Sequence, residues 1–291
     1  MTKLIIDLQK INKIKSYEVD GLIINLEGFS TFNGIKFSLN QLDEITKIIK
    51  SSGKKIFINI DRLYGEDDLG QLYELFNVLK NIEYDYIIFS DFAVYYYFNK
   101  NNDLKRLIYD AKTMGTNTDD LNFYKEKNIK VFVANELSKK QIKLLSETNN
   151  GCFEVFGYHQ IFYSKRPILS LFQEFDKIEE PLNNSLFEIK ELSKDVFYKI
   201  YESELGIFVY TDYIYCAYKE IKEFVNNFSF IKINPIFLSE ENLPLIISYY
   251  RDLIKNINVI ENDHLIKEIY PNTKSGFLLK KSVVLKEDFN E

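Results

Sequence analysis

Residues 152–167 read Cys-Phe-Glu-Val-Phe-Gly-Tyr-His-Gln-Ile-Phe-Tyr-Ser-Lys-Arg-Pro, and this stretch is the most informative part of the chain. Its first five residues form an apolar run that Glu154 interrupts, which predicts a buried strand carrying a carboxylate. The next residues bring His159, Tyr163, Ser164 and Arg166 together, and we expect them to lie in a loop. Side chains capable of chemistry are therefore concentrated here.

Short apolar runs of the same kind recur from residue 3 to residue 156, separated by longer amphipathic stretches. In residues 39–52, for example, leucine and isoleucine have helical spacing, and Gly53 follows as a C-terminal stop. This alternation predicts parallel strands joined by covering helices. The strand candidates are residues 3–7, 21–26, 54–61, 84–90, 106–110, 130–134 and 152–156.

A run of parallel strands forms either a doubly wound sheet or a closed barrel. No glycine-rich nucleotide-binding turn follows any of these strands, which favours a TIM-like (βα) barrel. Reactive groups in such a barrel lie at the carboxyl ends of the strands. The substrate-binding candidates are accordingly Asn59, Asp61, Asp91, Asn117, Asn135, Glu136, Tyr158 and His159. The alternative for each is that a strand-end Asp, Asn or Ser caps the next helix.

The pattern changes after Ser164. We divide the chain into residues 1–178, the main barrel region, and 179–291, which complete the barrel and add a small C-terminal α/β extension. The later elements either close the barrel or form an appended lobe. The predicted strands are residues 186–192, 196–201, 207–210, 230–233 and 276–285, and the predicted helices are 213–226 and 243–255.

Composition excludes several classes of protein. The 37 basic and 43 acidic residues give a net charge of −6, which argues against broad nucleic-acid binding. The start of the chain lacks a signal-peptide core, and no apolar run approaches the length of a membrane-spanning helix. We therefore expect a cytoplasmic protein without membrane contact.

Residues 152–167 closely resemble the signature of the U32 peptidase family, the collagenase-like proteases, from Glu154 through Phe156, Gly157, Tyr163, Ser164 and Arg166. Residues 84–91 and 134–138 resemble two further family motifs, and Gly276-Phe277-Leu278 resembles the ending of its short members. The resemblance covers nearly the whole chain and implies a TIM-like barrel. It implies either peptidase activity or a part in the hydroxylation of RNA bases or of a quinone precursor, with iron–sulfur clusters held by cysteines.

The chain departs from the family in its cysteines. Pro167 stands where the family has a cysteine, and the chain contains only Cys152 and Cys216. Two thiolates cannot hold a four-cysteine cluster, and their spacing with His159 and His264 resembles no known metal site. Apolar surroundings predict that Cys152 and Cys216 are packing residues. We expect no metal ligands and no resident cofactor.

The catalytic candidates that remain are Glu154, Tyr163, Ser164 and Arg166. The Arg166 guanidinium is suited to a carboxylate, and Glu154 is the candidate partner. This pair either binds substrate or ties a loop to the barrel end. Nothing in the sequence matches the nucleophile elbow of a serine hydrolase or the metal-binding helix of a zinc protease.

Two functions follow as expectations. In the first, the chain binds a small molecule or a peptide at the barrel mouth, as one subunit of a hydrolase or of an RNA-hydroxylation system. In the second, it is a non-catalytic partner of a cysteine-bearing family member. RNA contact is implied only by the resemblance.

Overall fold

The structure is a computed structural model, and it describes residues 1–280 except 192 and 194. Its strands are β1 Lys3–Asp7, β2 Gly21–Asn25, β3 Lys55–Ile60, β4 Tyr86–Phe89, β5 Leu107–Tyr109, β6 Lys130–Phe132, β7 Gly151–Gly157, β8 Gln160–Ser164, β9 Leu186–Glu191, β10 Val196–Ser203, β11 Gly206–Tyr210, β12 Ile214–Cys216, β13 Phe230–Ile233 and β14 Thr273–Lys274. Its α-helices are α1 Leu39–Ser51, α2 Leu69–Leu79, α3 Phe92–Lys100, α4 Thr118–Glu126, α5 Lys139–Ser146, α6 Ile168–Asp176, α7 Leu243–Lys255 and α8 Val259–Ile269.

Eight parallel strands form a closed barrel. The strands β1 to β7 pair in chain order, and β13 pairs with both β1 and β7. Helices α1 to α5 connect consecutive strands from β2 to β7, while a 3-10 turn lies between β1 and β2. The predicted TIM-like barrel is confirmed, and residues 230–233 supply the strand that closes it.

The covering helices form where the sequence supplies a cap and an apolar face. Ser38 precedes α1 in a capping box, in which the Gln41 side chain accepts a hydrogen bond from the Ser38 backbone N–H at 3.0 Å. Helix α1 then buries Leu42, Ile45 and Ile49 against the barrel. Ser138 and Gln141 begin α5 in the same way.

The barrel interior has an apolar layer and a polar layer. One buried residue from each strand forms a closed apolar cluster: Ile5, Ile23, Phe57, Ile88, Ile108, Phe132, Cys152 and Phe230. Successive residues of a strand point to opposite faces, so the residue two positions later also points inward. Those positions hold Asp7, Asn25, Asn59, Ser90, Asp110, Ala134, Glu154 and Lys232. The interior therefore becomes polar at the carboxyl ends of the strands.

A four-stranded antiparallel sheet is inserted between the seventh and eighth barrel strands, in the order β8-β11-β10-β9. Helix α6 covers one face of it. The loop expected after Phe156 is wrong for residues 160–164, which form β8 and pair with β11. The division at residue 178 falls inside this insert, after β8 and α6.

The helix expected over residues 213–226 is also wrong. Residues Ile214–Cys216 form β12, which pairs antiparallel with the end of β7, and two 3-10 turns follow. The end of β7 extends beyond the barrel, and β12 pairs with it there. The apolar residues that predicted a helix face include Tyr215 and Tyr218, and both are buried in the core.

The chain after β13 forms α7 and α8, which pack on each other, and β14, which pairs with β12. Of the strand expected over residues 276–285, residues 276–280 form a turn, and the remainder lies outside the described residues. Within the described part of the chain, no helix is both long and apolar enough to cross a membrane.

Candidate functional site

A cavity of ≈ 130 Å³ opens at the carboxyl ends of the barrel strands. Its floor consists of four residues of the polar layer, Asn59, Asp110, Glu154 and Lys232, and its side consists of residues of the insert and of the turn at Gly276 and Phe277. This is the end of a TIM-like barrel at which reactive groups are expected.

Lys232 lies at the centre of the floor. Its Nζ atom is 3.3 Å from Asp7 Oδ2 and 3.2 Å from Glu154 Oε2. Burial alone would lower the pKa of Lys232, but the carboxylates of Asp7 and Glu154 outweigh burial and raise that pKa. Lys232 is therefore a fixed cation between two buried carboxyl groups.

Three side chains from neighbouring strands form a directed chain of hydrogen bonds. Asn25 Nδ2 donates to Asp7 Oδ1 at 2.8 Å, and Asn59 Nδ2 donates to Asn25 Oδ1 at 2.8 Å. Burial raises the pKa of Asp7, while Lys232 and the hydrogen bond from Asn25 oppose that rise. The bond to Asp7 Oδ1 orients the Asn25 amide, which in turn orients the Asn59 amide. The chain ends at Asn59 Oδ1, a buried acceptor at the cavity wall without a hydrogen-bond partner among the described residues.

A second group of charges lies on the β3 and β5 side of the cavity. Lys112 Nζ is 2.8 Å from Asp110 Oδ2 and 3.0 Å from Asp61 Oδ2. Asp61 also accepts hydrogen bonds from the backbone and the hydroxyl of Thr31, both at 2.8 Å. Burial would raise the pKa of Asp61, but Lys112 and Thr31 outweigh burial and lower it. The Asp61 carboxylate is accordingly ionised.

His159 lies over the mouth between Glu154 and the insert. Its Nε2 is 3.4 Å from Glu154 Oε1 and 3.2 Å from Asn135 Nδ2, and its ring lies against Tyr215 at a centroid distance of 4.1 Å. Burial lowers the pKa of His159 to about 4. The imidazole is therefore neutral at physiological pH, and its tautomer determines whether Nε2 accepts from Asn135 or donates to Glu154.

The structure brings about half of the predicted site residues into this cavity. Its lining includes Asn59, Asp61, Asn135, Glu136, Glu154 and His159. Two others cap helices, as the alternative reading held: Asp91 accepts from Ala93 N at 2.8 Å, and Asn117 accepts from Asp120 N at 2.9 Å. Tyr158 is buried outside the lining, where Lys199 lies over its ring.

The other three predicted catalytic residues belong to the insert. Tyr163 stacks on Phe208 and donates to Leu205 O at 3.0 Å. Ser164 Oγ accepts from the Arg166 backbone at 3.2 Å, and the Arg166 side chain is exposed. The expected ion pair between Arg166 and Glu154 is wrong, because β8 leads Arg166 away from the mouth and Lys232 is the cation that pairs with Glu154.

Sequence reasoning missed Asp7, Asp110, Lys112, Lys232 and Asn234. Asn234 Nδ2 donates to Glu154 Oε1 at 3.3 Å, so this residue also orients the carboxylate. The strand pattern could have identified three of them, because Asp7, Asp110 and Lys232 each come two residues after an inward apolar residue of a strand. It could not have identified Lys112, which lies in a loop at φ 59°.

The two cysteines do not fit an iron–sulfur cluster. Cys152 is in the apolar layer of the barrel, and Cys216 is buried beside Tyr250. Burial raises the pKa of each thiol to about 12, which opposes the thiolate that iron requires. Among the described residues, no group of three or more His, Cys, Asp or Glu side chains is arranged to hold a metal.

Comparison with known proteins matches the chain over most of its length. The sequence model of peptidase family U32 matches residues 6–282. The chain is 23% identical over 268 residues to "tRNA hydroxylation protein P2" of Bacillus subtilis (strain 168), covering 85% of this chain and 87% of that protein. A solved structure described as the U32 peptidase Mk0906 superposes with a TM-score of 0.50 at 12% identity, over 80% of this chain and 92% of that one. The solved structure supports the fold alone.

Proposed function

This chain belongs to peptidase family U32, and from that premise we propose that it serves in tRNA hydroxylation by binding a small polar molecule at the barrel mouth. The relative named for tRNA hydroxylation aligns with 85% of the chain, which supports a part in that process. The observation that carries the binding role is the directed chain from Asp7 to Asn59, which leaves a buried acceptor at the cavity wall. We place this role in the cytoplasm.

The free polar atoms define the chemistry of the ligand. Asn59 Oδ1 and Asn135 Oδ1 are buried acceptors without a partner among the described residues, and a buried polar atom left unpaired costs roughly 1–3 kcal/mol. The lysines at the mouth are already paired with carboxylates. The preferred ligand is therefore a compact molecule that donates hydrogen bonds through hydroxyl or amino groups.

The electrostatics favour binding over hydrolysis. Glu154 and Asp61 have lowered pKa values, Lys232 has a raised one, and His159 has a pKa of about 4. A general acid or base works best with a pKa near the working pH, and none of these four groups has one. Burial raises the pKa of Asp7, but Asp7 does not line the cavity. Ser164 hydrogen-bonds within its own turn, so it does not form a nucleophile–base pair with His159. These groups hold and orient a ligand with fixed charges and amides.

The test is made in the source organism. We expect deletion of the gene to lower the hydroxylated nucleosides in total tRNA, measured by liquid chromatography and mass spectrometry, and re-expression to restore them. Asn135→Ala and His159→Gln should restore less than a tenth of that signal. Asn117→Ala, which alters a helix cap away from the cavity, is the matched control and should restore it fully. An unchanged nucleoside profile after deletion would refute the proposal.

A second candidate role is that of a non-catalytic partner of a cysteine-bearing relative. The observation that favours it is the burial of both cysteines, which leaves this chain without exposed thiolates for a cluster. Tagged protein purified anaerobically from the source organism would then carry that relative, with iron in the relative. Purification of fully functional protein without any such partner would exclude this role.

A further inference from the structure

Helix α6 directs its apolar side chains toward solvent. Ile168, Leu171, Phe172 and Phe175 have the i, i+3, i+4, i+7 spacing of one helix face, and they are exposed by 42%, 53%, 48% and 83%. We call this set the α6 stripe. An amphipathic helix normally buries such a stripe against its own domain, so the α6 stripe lacks its counterpart among the described residues.

The opposite face of α6 fixes this orientation. Leu169 packs on the insert sheet, and Gln173 hydrogen-bonds to the backbone of Leu182 and Ile178. The buried Glu202 carboxylate accepts from the backbone N–H groups of Leu169 and Ser170 at 2.6 and 3.0 Å. A carboxylate at a helix N-terminus holds the first turn in place. The helix cannot roll to bury the α6 stripe without breaking these bonds.

The charged residues that flank α6 in the sequence are the reverse of what a helix prefers, and Glu202 on β10 is the anion that satisfies its N-terminus. Lys165 and Arg166 precede its N-terminus, and Glu174 and Asp176 lie in its last turn. Glu179 and Glu180 follow, with Lys177 as the one opposing charge. A helix dipole favours anions at the N-terminus and cations at the C-terminus, so these charges do not stabilise α6 itself.

We propose that the α6 stripe is the centre of a two-fold interface with a second copy of this chain. An antiparallel arrangement of two α6 helices packs stripe on stripe. It also brings Arg166 of one copy to the acidic end of the other, twice. Lys165 already lies 3.8 Å from Asp68 of its own chain, so Arg166 supplies the charge contact. The surface is self-complementary in both hydrophobicity and charge, as an isologous interface must be. This inference goes beyond the proposed function and does not depend on it.

The surroundings of α6 enlarge the interface. Phe162 on β8 and Ile189 on β9 point to the same face of the sheet as Val209 and Tyr198, and they are exposed on either side of the helix. A stable interface of standard size buries about 800 Å² of each partner, more than one short helix supplies. Phe162 and Ile189 extend the apolar surface toward that size.

The test is sedimentation velocity of the full chain over a range of concentrations. We expect a monomer–dimer equilibrium that Phe175→Glu weakens at least tenfold. Ile260→Glu is the matched control, because Ile260 on α8 is equally exposed at 83% and lies outside the interface, so this variant should dimerise normally. Circular dichroism of both variants verifies the fold.

Charge reversal tests the antiparallel arrangement separately. Arg166→Glu should weaken the dimer about tenfold, and adding Glu174→Arg in the same chain should restore most of the affinity. Leu171→Cys, near the proposed axis, should form a disulfide-linked dimer when dissolved oxygen is supplied as the oxidant, and the buried Cys152 and Cys216 should not compete. A monomer at all concentrations, a dimer insensitive to Phe175→Glu, or a complex that forms only with a different protein would overturn the proposal.

Discussion

Lys232 lies between Asp7 and Glu154, two carboxyl groups that the barrel buries, and it is only 10% exposed itself. Removing one partner of a buried ion pair leaves an uncompensated charge, which costs about 3–5 kcal/mol. We expect Lys232→Met to lower the free energy of unfolding by this amount, measured by urea denaturation, and Asp7→Asn in the same chain to recover part of it.

The control for this prediction is Lys47→Met. Lys47 pairs with Asp43 on the surface of α1, where both side chains are more than half exposed. Exposed pairs of this kind contribute less than about 0.5 kcal/mol. Equal losses in the Lys47 and Lys232 variants would contradict the claim that the barrel mouth depends on its buried charges.

His159 gives the protein a specific pH dependence. Its folded pKa of about 4 is below the unfolded value of 6.5, so the unfolded chain binds a proton that the folded chain does not. Stability from the neutral His159 is therefore present above pH 6.5 and is lost as the pH falls toward 4, by about 3 kcal/mol in total. The difference in unfolding free energy between the native chain and His159→Gln should shrink over this window. A difference that does not change with pH would show that His159 is not buried in its neutral form.

At the scale of elements, the junction between β7 and β8 depends on Gly157. Its φ is +130°, and a Cβ atom there would lie 2.3 Å from the backbone oxygen of Asn234, the residue that orients Glu154. Gly157→Ala should therefore cost more than about 2 kcal/mol and displace Asn234.

Comparison with Gly53→Ala separates the two costs of Gly157→Ala, the steric clash of the new Cβ atom and the positive φ. Gly53 also has a positive φ, +74°, but a Cβ atom there would meet nothing within 4 Å. Gly53→Ala should cost only the left-handed conformation, about 1 kcal/mol. Thermal denaturation of the two variants side by side measures the difference, and an equal loss in both would mean that Asn234 moves aside freely.

The barrel elements could be predicted from the sequence because each is defined locally. The apolar runs at β3 and β7 predict strands, and the capped amphipathic segments between them predict helices, without information from distant residues. Strand β8 could not be predicted in this way. Its residues mix Gln, Tyr and Ser with apolar side chains, and they form a strand only because β11, far along the chain, pairs with them.

The residues of the candidate site also differ in whether local sequence is enough to predict them. Counting two positions from an inward apolar residue leads to Asn59, Glu154 and Lys232 on the cavity floor. It also leads to Asp7 and Asn25, which hydrogen-bond or pair with them, so this part of the site could be predicted from the sequence. The roles of Tyr163, Ser164 and Arg166 were not, because they depend on the direction in which β8 leaves the barrel. These three residues are close to Glu154 in the sequence, but β8 carries them away from it in the structure.

On the scale of the whole molecule, and among the residues that the structure describes, the strands of the insert pair with one another and not with the strands of the barrel. All eight barrel strands lie outside residues 163–208, and Phe162 pairs directly with Val209. An Asn-Gly turn that replaces residues 163–208 would close a two-residue hairpin at this pair. The contact between His159 O and Thr211 N at 2.9 Å remains, so the mouth keeps its geometry.

We expect this shortened chain to fold cooperatively as a barrel with reduced stability, because it loses the burial of Phe208 and Tyr163 against the core. It should also sediment as a monomer, because α6 is absent. Urea denaturation followed by circular dichroism, together with sedimentation velocity, measures both properties. A shortened chain that unfolds without a cooperative transition would mean that the insert completes the barrel core, and a shortened chain that still dimerises would place the interface on the barrel itself.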